Sequence, residues 1–562
     1  MTDDPAHEVI VLGAGAGGLT AACAAAARGL RVLLLEKTAW VGGTAAISGG
    51  MVWVPADSEA RAYLGATLSA GVRPELIDAF LGYGPEAISW LEAKTQLRLK
   101  PVPRYPDYYP SLPGATQSGR VLEPVGYDAR PLGSDLALLR PPLPEFTLFG
   151  GMMVDRADLP HFRAVTRSPR SMARVARLLL RHARERLVAP RGTSLVLGNA
   201  LVARLLRSAR ELGVEIRTLA QVASLARSEN GVAGVELRDG TRIGAGRGVV
   251  LATGGFSHDP ERRARWLPAG VDAASPVCEG DAGDGLRLGE AVGGRVAQGN
   301  LHNAYWTPLS KFRRADGSAA VFPHTVADRG KPGIVAVNTR GERFTSEAVS
   351  YHEFALAMFR AEAIPAFLLC DRRSLWQYGL GAVRPFTLRP ARFVEQGYLA
   401  SGTTLRELAG RLGIDAGGLE RTVAQYNADA EAGVDTRFNL GGDVYQRFLG
   451  DAAHRPNPCM RPVESPPFYA VRLVPSDLGT AAGLATDADA RVLDREGRPV
   501  PGLYACGNDM NSVMGGAYPG PGITLGPALV FGWIAARHLA SLQTVRKIAP
   551  QATQGLPYAG SL

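Results

Sequence analysis

A chain of 562 residues is long enough for about two to four domains rather than one core. Its 46% hydrophobic and 20% charged residues exclude a disordered or fibrous protein, and without a run of roughly 18 apolar residues no membrane-spanning helix is expected. The net charge of +9 comes with no nucleic-acid motif or aromatic interleaving, so nucleic acid is not an expected partner. Five scattered cysteines (Cys23, Cys278, Cys370, Cys459, Cys506) form neither a disulfide framework nor a metal-ligand spacing, so no metal site is expected.

The N-terminus carries Asp3, Asp4 and Glu8 and runs directly into a strand, unlike a signal peptide, so a cytoplasmic protein is expected. Glu8–Leu12 is a short β-branched apolar run, the pattern of a buried parallel strand. It leads into Gly13-Ala-Gly-Ala-Gly-Gly18 and a small-residue helix from Leu19 to Arg28. Gly13 permits the tight turn, Gly15 lets backbone N–H groups approach a pyrophosphate, and Gly18 lets helix and strand pack closely. A second strand, Arg31–Leu35, ends at Glu36, about 20 residues past the glycines, where a carboxylate accepts hydrogen bonds from a ribose. Strand, turn, helix, strand and acid in this order predict a dinucleotide site.

FAD is favoured over NAD by the segments beyond Glu36. Val41-Gly-Gly-Thr44 and Ser48-Gly-Gly50 supply hydroxyls and free backbone beside the diphosphate. Further strand-to-glycine segments return at Val249–Gly255 and Leu503–Asn508, and no second G-x-G-x-x-G is present for a nicotinamide. The expected cofactor contacts are Gly13, Gly15, Gly18, Glu36, Lys37, Gly43, Thr44, Ser48, Gly49 and Gly50. From later segments come Val222, Ala252, Thr253, Gly254, Asp284, Gly507, Asn508, Gly522, Thr524 and Leu525.

Residues 75–190 read as an insertion rich in proline, tyrosine and arginine. Nine arginines lie between Arg163 and Arg191, and Arg170, Arg174, Arg177, Arg181 and Arg184 share one helical face. That helix reads as a solvated basic face over a core-facing stripe that includes Val175, Leu179 and Leu187. Its alternative is a peripheral dock on an anionic membrane. Val214–Arg217 and Val232–Leu237, with an Asn230-Gly turn, suggest a small sheet layer. A glycine-rich run, Gly280-Asp-Ala-Gly-Asp-Gly285, leads into a helix through Ala291. The fold expected is α/β with an α+β second domain: a Rossmann-like FAD-binding domain, discontinuous in sequence, with an inserted catalytic domain. Its parts are 1–279, 280–466 as the catalytic domain, 467–543 as the returning FAD segment, and a loose tail at 544–562.

Two further segments carry a more specific resemblance. Arg343-Phe-Thr-Ser-Glu-Ala-Val-Ser-Tyr351 and Gly516-Ala-Tyr-Pro-Gly-Pro-Gly522, with Asp107-Tyr-Tyr-Pro110, resemble the 3-ketosteroid Δ1-dehydrogenases within the fumarate reductase flavoprotein superfamily. Fumarate reductases place an arginine eight positions after the first Arg, where this chain has Tyr351. The resemblance implies non-covalent FAD, a 3-keto substrate and an unidentified electron acceptor, a quinone or another. It also implies roles: Tyr351 as base, Tyr108 as its support, and Tyr518 with Gly522 as the carbonyl-oxygen site. Ser346 replaces the usual Asn and Tyr109 the usual His, so either Tyr108 or Tyr109 faces the site.

The implied reaction removes an α-proton and a β-hydride from a saturated ketone ring. The oxygen donors offset the weak acidity of the α-proton, and a tyrosine base implies activity rising toward alkaline pH. These residues serve the ketone alone, so a cyclohexanone-type substrate remains an alternative to a steroid, and a fumarate-type ene-reductase stands behind both. Tyr105, Tyr127, Tyr305 and Trp306 are candidate pocket walls, and His324 and His352 are expected to be structural.

Overall fold

The structure, a computed structural model, describes residues 6–68, 72–166 and 168–542. The tail expected to be loose, and Asp3 and Asp4, lie outside these residues. His7–Leu12 sits at the centre of the main sheet, pairing in parallel with Val32–Leu35 and with Arg242–Leu251. Its last four residues are fully buried, which is why they are apolar and β-branched. Glu215–Arg217 extends the sheet on one side and Pro499–Ala505 on the other, both in parallel. Arg491–Leu493 then closes that edge antiparallel. The 214–217 strand is therefore part of the main sheet and not of a small layer. The layer is instead a hairpin of Val222–Ser228 and Gly231–Leu237 across the Asn230-Gly turn. Val222–Ser228 alternates too weakly in hydrophobicity to be read as its first strand.

The helix Ala16–Ala26 lies between Leu197–Glu211 and Leu525–Ser541. Its alanines and glycines are there because backbones touch. A Cβ on Gly532 would stand 2.6 Å from the Gly17 carbonyl oxygen. On its outer face Leu525–Ser541 meets the helix Pro74–Lys94, where Trp90 packs edge-on against Trp533 and Arg28 lies 4.3 Å over the Trp90 ring. Pro74–Lys94 is thus built into the dinucleotide unit, and the segment expected as an insertion starts to project only after it.

A second sheet is antiparallel throughout, in the order Ala319–Pro323, Ala304–Arg313, Phe468–Thr480, Ala366–Asp371, Ile334–Val337. Two expected boundaries move. Phe468–Thr480 is the central strand of this sheet, so a break at 466/467 falls one strand too early. The helix Asp284–Ala291 packs on the main sheet, where a Cβ on Gly289 would meet Leu484 and Leu251. The second sheet therefore begins near Ala304 rather than at 280. The sequence hides both shifts because one long strand carries the chain from the second sheet back to the glycine segments.

The arginine-rich helix spans Pro169–Val188, with the Ser168 hydroxyl accepting from Ser171 N–H. Its buried seam is Ser171, Val175, Leu178 and His182. The seam predicted through Leu187 is wrong, since Leu187 is 86% exposed.

Candidate active site

The carboxyl ends of the parallel strands converge on one crevice, the usual ligand position in an open α/β sheet. A cavity of about 1000 Å³ opens there, running from the glycine loops to the second sheet. Every cofactor residue expected from sequence lines it except Gly18. Gly18 works from behind: a Cβ would lie 1.9 Å from the Gly13 carbonyl oxygen, so only glycine lets helix and turn meet. In front, a Cβ on Gly15 would meet nothing within 4 Å, and no side chain caps the helix that begins at Ala16. Uncapped N–H groups facing open space suit a pyrophosphate. Glu36 is buried and accepts from Ala14 N–H at 3.0 Å and Thr38 N–H at 2.8 Å, which fixes the carboxylate beside the crevice. Lys37 pairs with Asp284 across it. These donors, the acid and the open cradle fit FAD.

Two acids of the cradle are not among the residues expected from sequence. Asp281 accepts from the Thr44 hydroxyl at 2.7 Å, and burial pushes its carboxyl well above the usual range. Asp509 accepts from Thr253 N–H and Gly255 N–H and is pushed up to about 6 by burial. Asp281 sits within the Gly280–Gly285 run, so glycine spacing was a usable signal. Asp509 carried none.

Three tyrosines gather at the far wall, with Tyr445 packed behind one of them. The Tyr351 hydroxyl donates to that of Tyr518 at 2.6 Å, and Tyr108 donates to Tyr351 at 3.3 Å. The Tyr108 and Tyr445 ring centroids are 4.7 Å apart. Each ring is set by its own scaffold. Tyr351 opens the helix Tyr351–Arg360, capped by Ser350, so its phenol stands at a helix N-terminus. The Asp107–Pro110 segment is pinned by buried Asp107, which accepts from Trp53 Nε1, Thr116 N–H and Arg120. Tyr108 N–H and the Tyr63 hydroxyl both donate to the Pro519 carbonyl, tying this segment to the loop that bears Tyr518. Tyr109 turns away to donate to Glu353 at 2.8 Å, so it is Tyr108 that faces Tyr351. Gly522 has φ +94°, and a Cβ there would lie 2.5 Å from the Met51 carbonyl oxygen.

Burial pushes the phenols of Tyr351, Tyr108 and Tyr445 well above their usual value and that of Tyr518 up to about 12. The resting group is thus a directed chain of neutral hydroxyls: Tyr108 gives to Tyr351, which gives to Tyr518, leaving the Tyr518 proton free to point elsewhere. Ser346 donates to Gln446 at 2.8 Å and so braces the helix that carries Tyr445.

Of the expected pocket walls, Tyr105 lines the cavity and Tyr305 packs 5.2 Å from the Tyr518 ring. Trp306 and Tyr127 do not line it. Adjacent strand residues point to opposite faces, so Trp306 is buried against Phe359, while Tyr127 lies under Arg204. His324 bonds Ser310 and Asp328, and His352 accepts from Trp306 N–H. Tyr445 and a buried arginine, Arg329, were not foreseen.

A family model described as "FAD binding domain" matches residues 8–525. A 4-oxocyclohex-2-ene-1-carboxylate 5-dehydrogenase of Sinomonas cyclohexanicum is 38% identical over 96% of this chain and 95% of its own. A 3-oxosteroid 1-dehydrogenase of Mycobacterium tuberculosis is 35% identical over 95% and 98%. Among solved structures, the 3-ketosteroid Δ1-dehydrogenase of Sterolibacterium denitrificans, in complex with 1,4-androstadiene-3,17-dione, superposes with a TM-score of 0.88 at 37% identity. It covers 95% of this chain and 99% of that one.

Proposed function

The chain belongs to the FAD binding domain family, in the branch of the 3-ketosteroid Δ1-dehydrogenases, and on that premise we propose that it is an FAD-dependent desaturase of 3-ketosteroids acting at the bond between C1 and C2. The observation that carries this reading is the hydrogen-bonded pair of Tyr351 and Tyr518 facing the same cavity as the dinucleotide loops.

The substrate's carbonyl oxygen takes the free Tyr518 proton as one hydrogen bond and the Gly522 N–H as a second. As the α C–H bond breaks, its electrons move toward that oxygen, and the two donors stabilise the growing charge. Tyr351, as phenolate, accepts the α-proton, with Tyr108 donating to the same oxygen. When bound, FAD supplies the acceptor for the β-hydrogen and its electron pair, and the carbon–carbon double bond closes. Burial of the tyrosines keeps water from the phenolate and raises its basicity.

The steroid is favoured over a single-ring keto acid by the cavity beyond the tyrosines. Its walls there include Leu143, Phe146, Phe149, Phe162, Phe322 and Leu380, an apolar surface suited to several fused rings. The cyclohexene-carboxylate relative supports the smaller ketone as the second reading. A direct test mixes FAD-loaded protein with androst-4-ene-3,17-dione or with 4-oxocyclohexanecarboxylate. Flavin bleaching by the steroid supports the first reading and bleaching by the keto acid alone the second. Bleaching by neither rejects both.

Among the described residues no helix is long and apolar enough to cross a membrane. Peripheral docking is a further part of the proposal. The helix Pro169–Val188 exposes Arg170, Arg177 and Arg184 on one side with Leu180 beside them, and Phe149 and Leu159, exposed nearby in sequence, also line the cavity. Such a surface suits anionic lipid and would pass an apolar ketone directly inward.

A further inference from the structure

Arg329 is 1% exposed, and its guanidinium is held by four carbonyl oxygens. Nε donates to His324 at 2.7 Å, Nη2 to Thr325 at 2.8 Å, and Nη1 to Glu347 at 2.9 Å and Val349 at 3.1 Å. The last two lie in the short segment that ends at Tyr351. The guanidinium carbon also stands 4.9 Å from the Phe354 ring, one turn further along the helix that Tyr351 opens. Carbonyls orient a guanidinium without neutralising it, and the neighbouring carboxylate, Asp328, accepts from the Arg329 backbone N–H at 2.9 Å.

The groups around Tyr351 contain little else that is positive. Tyr105 and Tyr108 face it from one loop and Tyr518 from another, while Tyr445, on the helix Val444–Leu449, packs behind Tyr108. On its own helix His352 is kept neutral by burial, and Glu353 is engaged by Tyr109. Asp328, which burial alone would raise, is drawn down to about 2 by His324, to which it is bonded, by the Gly381 N–H and by the Arg329 charge. Lys331 lines the cavity and is bound to the Leu449 and Gly450 carbonyls. Arg329 interacts electrostatically with Tyr445, Asp328, Tyr108 and Tyr351.

We propose that Arg329 is a positioning residue for proton abstraction. It clamps the Glu347–Val349 segment that delivers Tyr351, and its buried charge favours the phenolate over the phenol there. The inference rests on the reading of Tyr351 as the base. It also accounts for how a phenol so deeply buried is ionised at all: the tyrosines supply hydrogen bonds, and Arg329 supplies the charge.

The test uses the FAD-loaded full chain as wild type, Arg329→Gln and Arg329→Lys, each with and without Tyr351→Phe. Ultraviolet difference titration, with the Tyr351→Phe background subtracted, gives the ionisation midpoint of Tyr351 itself. Arg329→Gln is expected to raise that midpoint by about one pH unit, and to move the alkaline limb of flavin bleaching by androst-4-ene-3,17-dione equally. Arg329→Lys keeps the charge and is expected to leave both in place. Unchanged midpoint and limb in Arg329→Gln overturn the proposal. So does a shift in Arg329→Lys as large as that in Arg329→Gln with flavin still bound. If Arg329→Gln does not fold, Arg329→Lys decides alone, since a moved midpoint despite a kept charge rules the electrostatic role out. If the wild type bleaches with no ketone, the desaturase reading fails, while the titration still answers for Arg329.

Discussion

Tyr351 and Tyr518, 167 positions apart in sequence, bring their hydroxyls to 2.6 Å. The bond makes each phenol the setting for the other: in the neutral pair Tyr351 gives its proton to Tyr518 and so fixes which way the Tyr518 proton points. Tyr518→Phe removes the oxygen site and leaves the cradle alone. Turnover should fall by about 10²- to 10³-fold, while bound-flavin absorbance is unchanged. Turnover near the wild-type rate would remove Tyr518 from the mechanism.

Burial raises the Tyr351 phenol, so the neutral form dominates at neutral pH. If the phenolate abstracts the proton, single-turnover flavin reduction should climb about tenfold per pH unit, with no plateau before roughly pH 10. A flat profile with chemistry limiting excludes a tyrosinate base. The same shift bears on stability. A phenol whose folded pKa exceeds its unfolded value stabilises the fold fully below about pH 10, and that contribution is lost as the pH rises through the folded value. Thermal unfolding of Tyr351→Phe should therefore decline less steeply above pH 10 than that of the wild type.

Gly522→Ala strains a residue at φ +94° and drives a Cβ toward the Met51 carbonyl. A loss of about 1–3 kcal/mol in folding stability is expected, together with slowed turnover, because the strained residue is also the proposed N–H donor. Chemical denaturation and steady-state assay check the two effects separately.

Glu36→Ala deprives Ala14 N–H and Thr38 N–H of their shared acceptor. Each orphaned donor costs about 1–3 kcal/mol, and the ribose loses its acid. FAD should dissociate on gel filtration, and holoprotein recovered at the wild-type yield argues against Glu36 as a cofactor residue.

Reversing Arg170, Arg177 and Arg184 to Glu should abolish co-sedimentation with phosphatidylserine-containing vesicles and leave the turnover of dissolved steroid intact. Equal sedimentation of wild type and variant, or none by the wild type, counts against a lipid-docking face.

The dinucleotide cradle was the most legible part of the chain. Its demands are local: a glycine at a turn, a small-residue helix and an acid at the end of the next strand fall within one short stretch. Tyr518 and Tyr351 were legible through resemblance, since no periodicity marks a phenol for chemistry. Tyr445, Asp509 and Arg329 were not legible, because each acquires its meaning from partners far away in sequence. The same holds for the choice between Tyr108 and Tyr109. Both are ordinary loop tyrosines until the Pro519 carbonyl fixes one N–H and Glu353 captures the other's hydroxyl. The misread seam of the arginine helix shows the limit of pattern alone: Leu187 has the right chemistry but lies in the final turn, past the point where the helix touches anything.

The strand pairing of the main sheet has a bearing on biosynthesis. Leu12 and Ala505 both flank the strand Arg242–Leu251, and the helix that packs on Ala16–Ala26, behind the first glycine loop, is Leu525–Ser541. A ribosome finishes the strand His7–Leu12 long before it makes the helix Leu525–Ser541. Flavin capture is thereby a late event in the life of the nascent chain. A transcript cut short after the second sheet would yield a polypeptide with every residue of the G-x-G-x-x-G turn and without the helix that packs behind it.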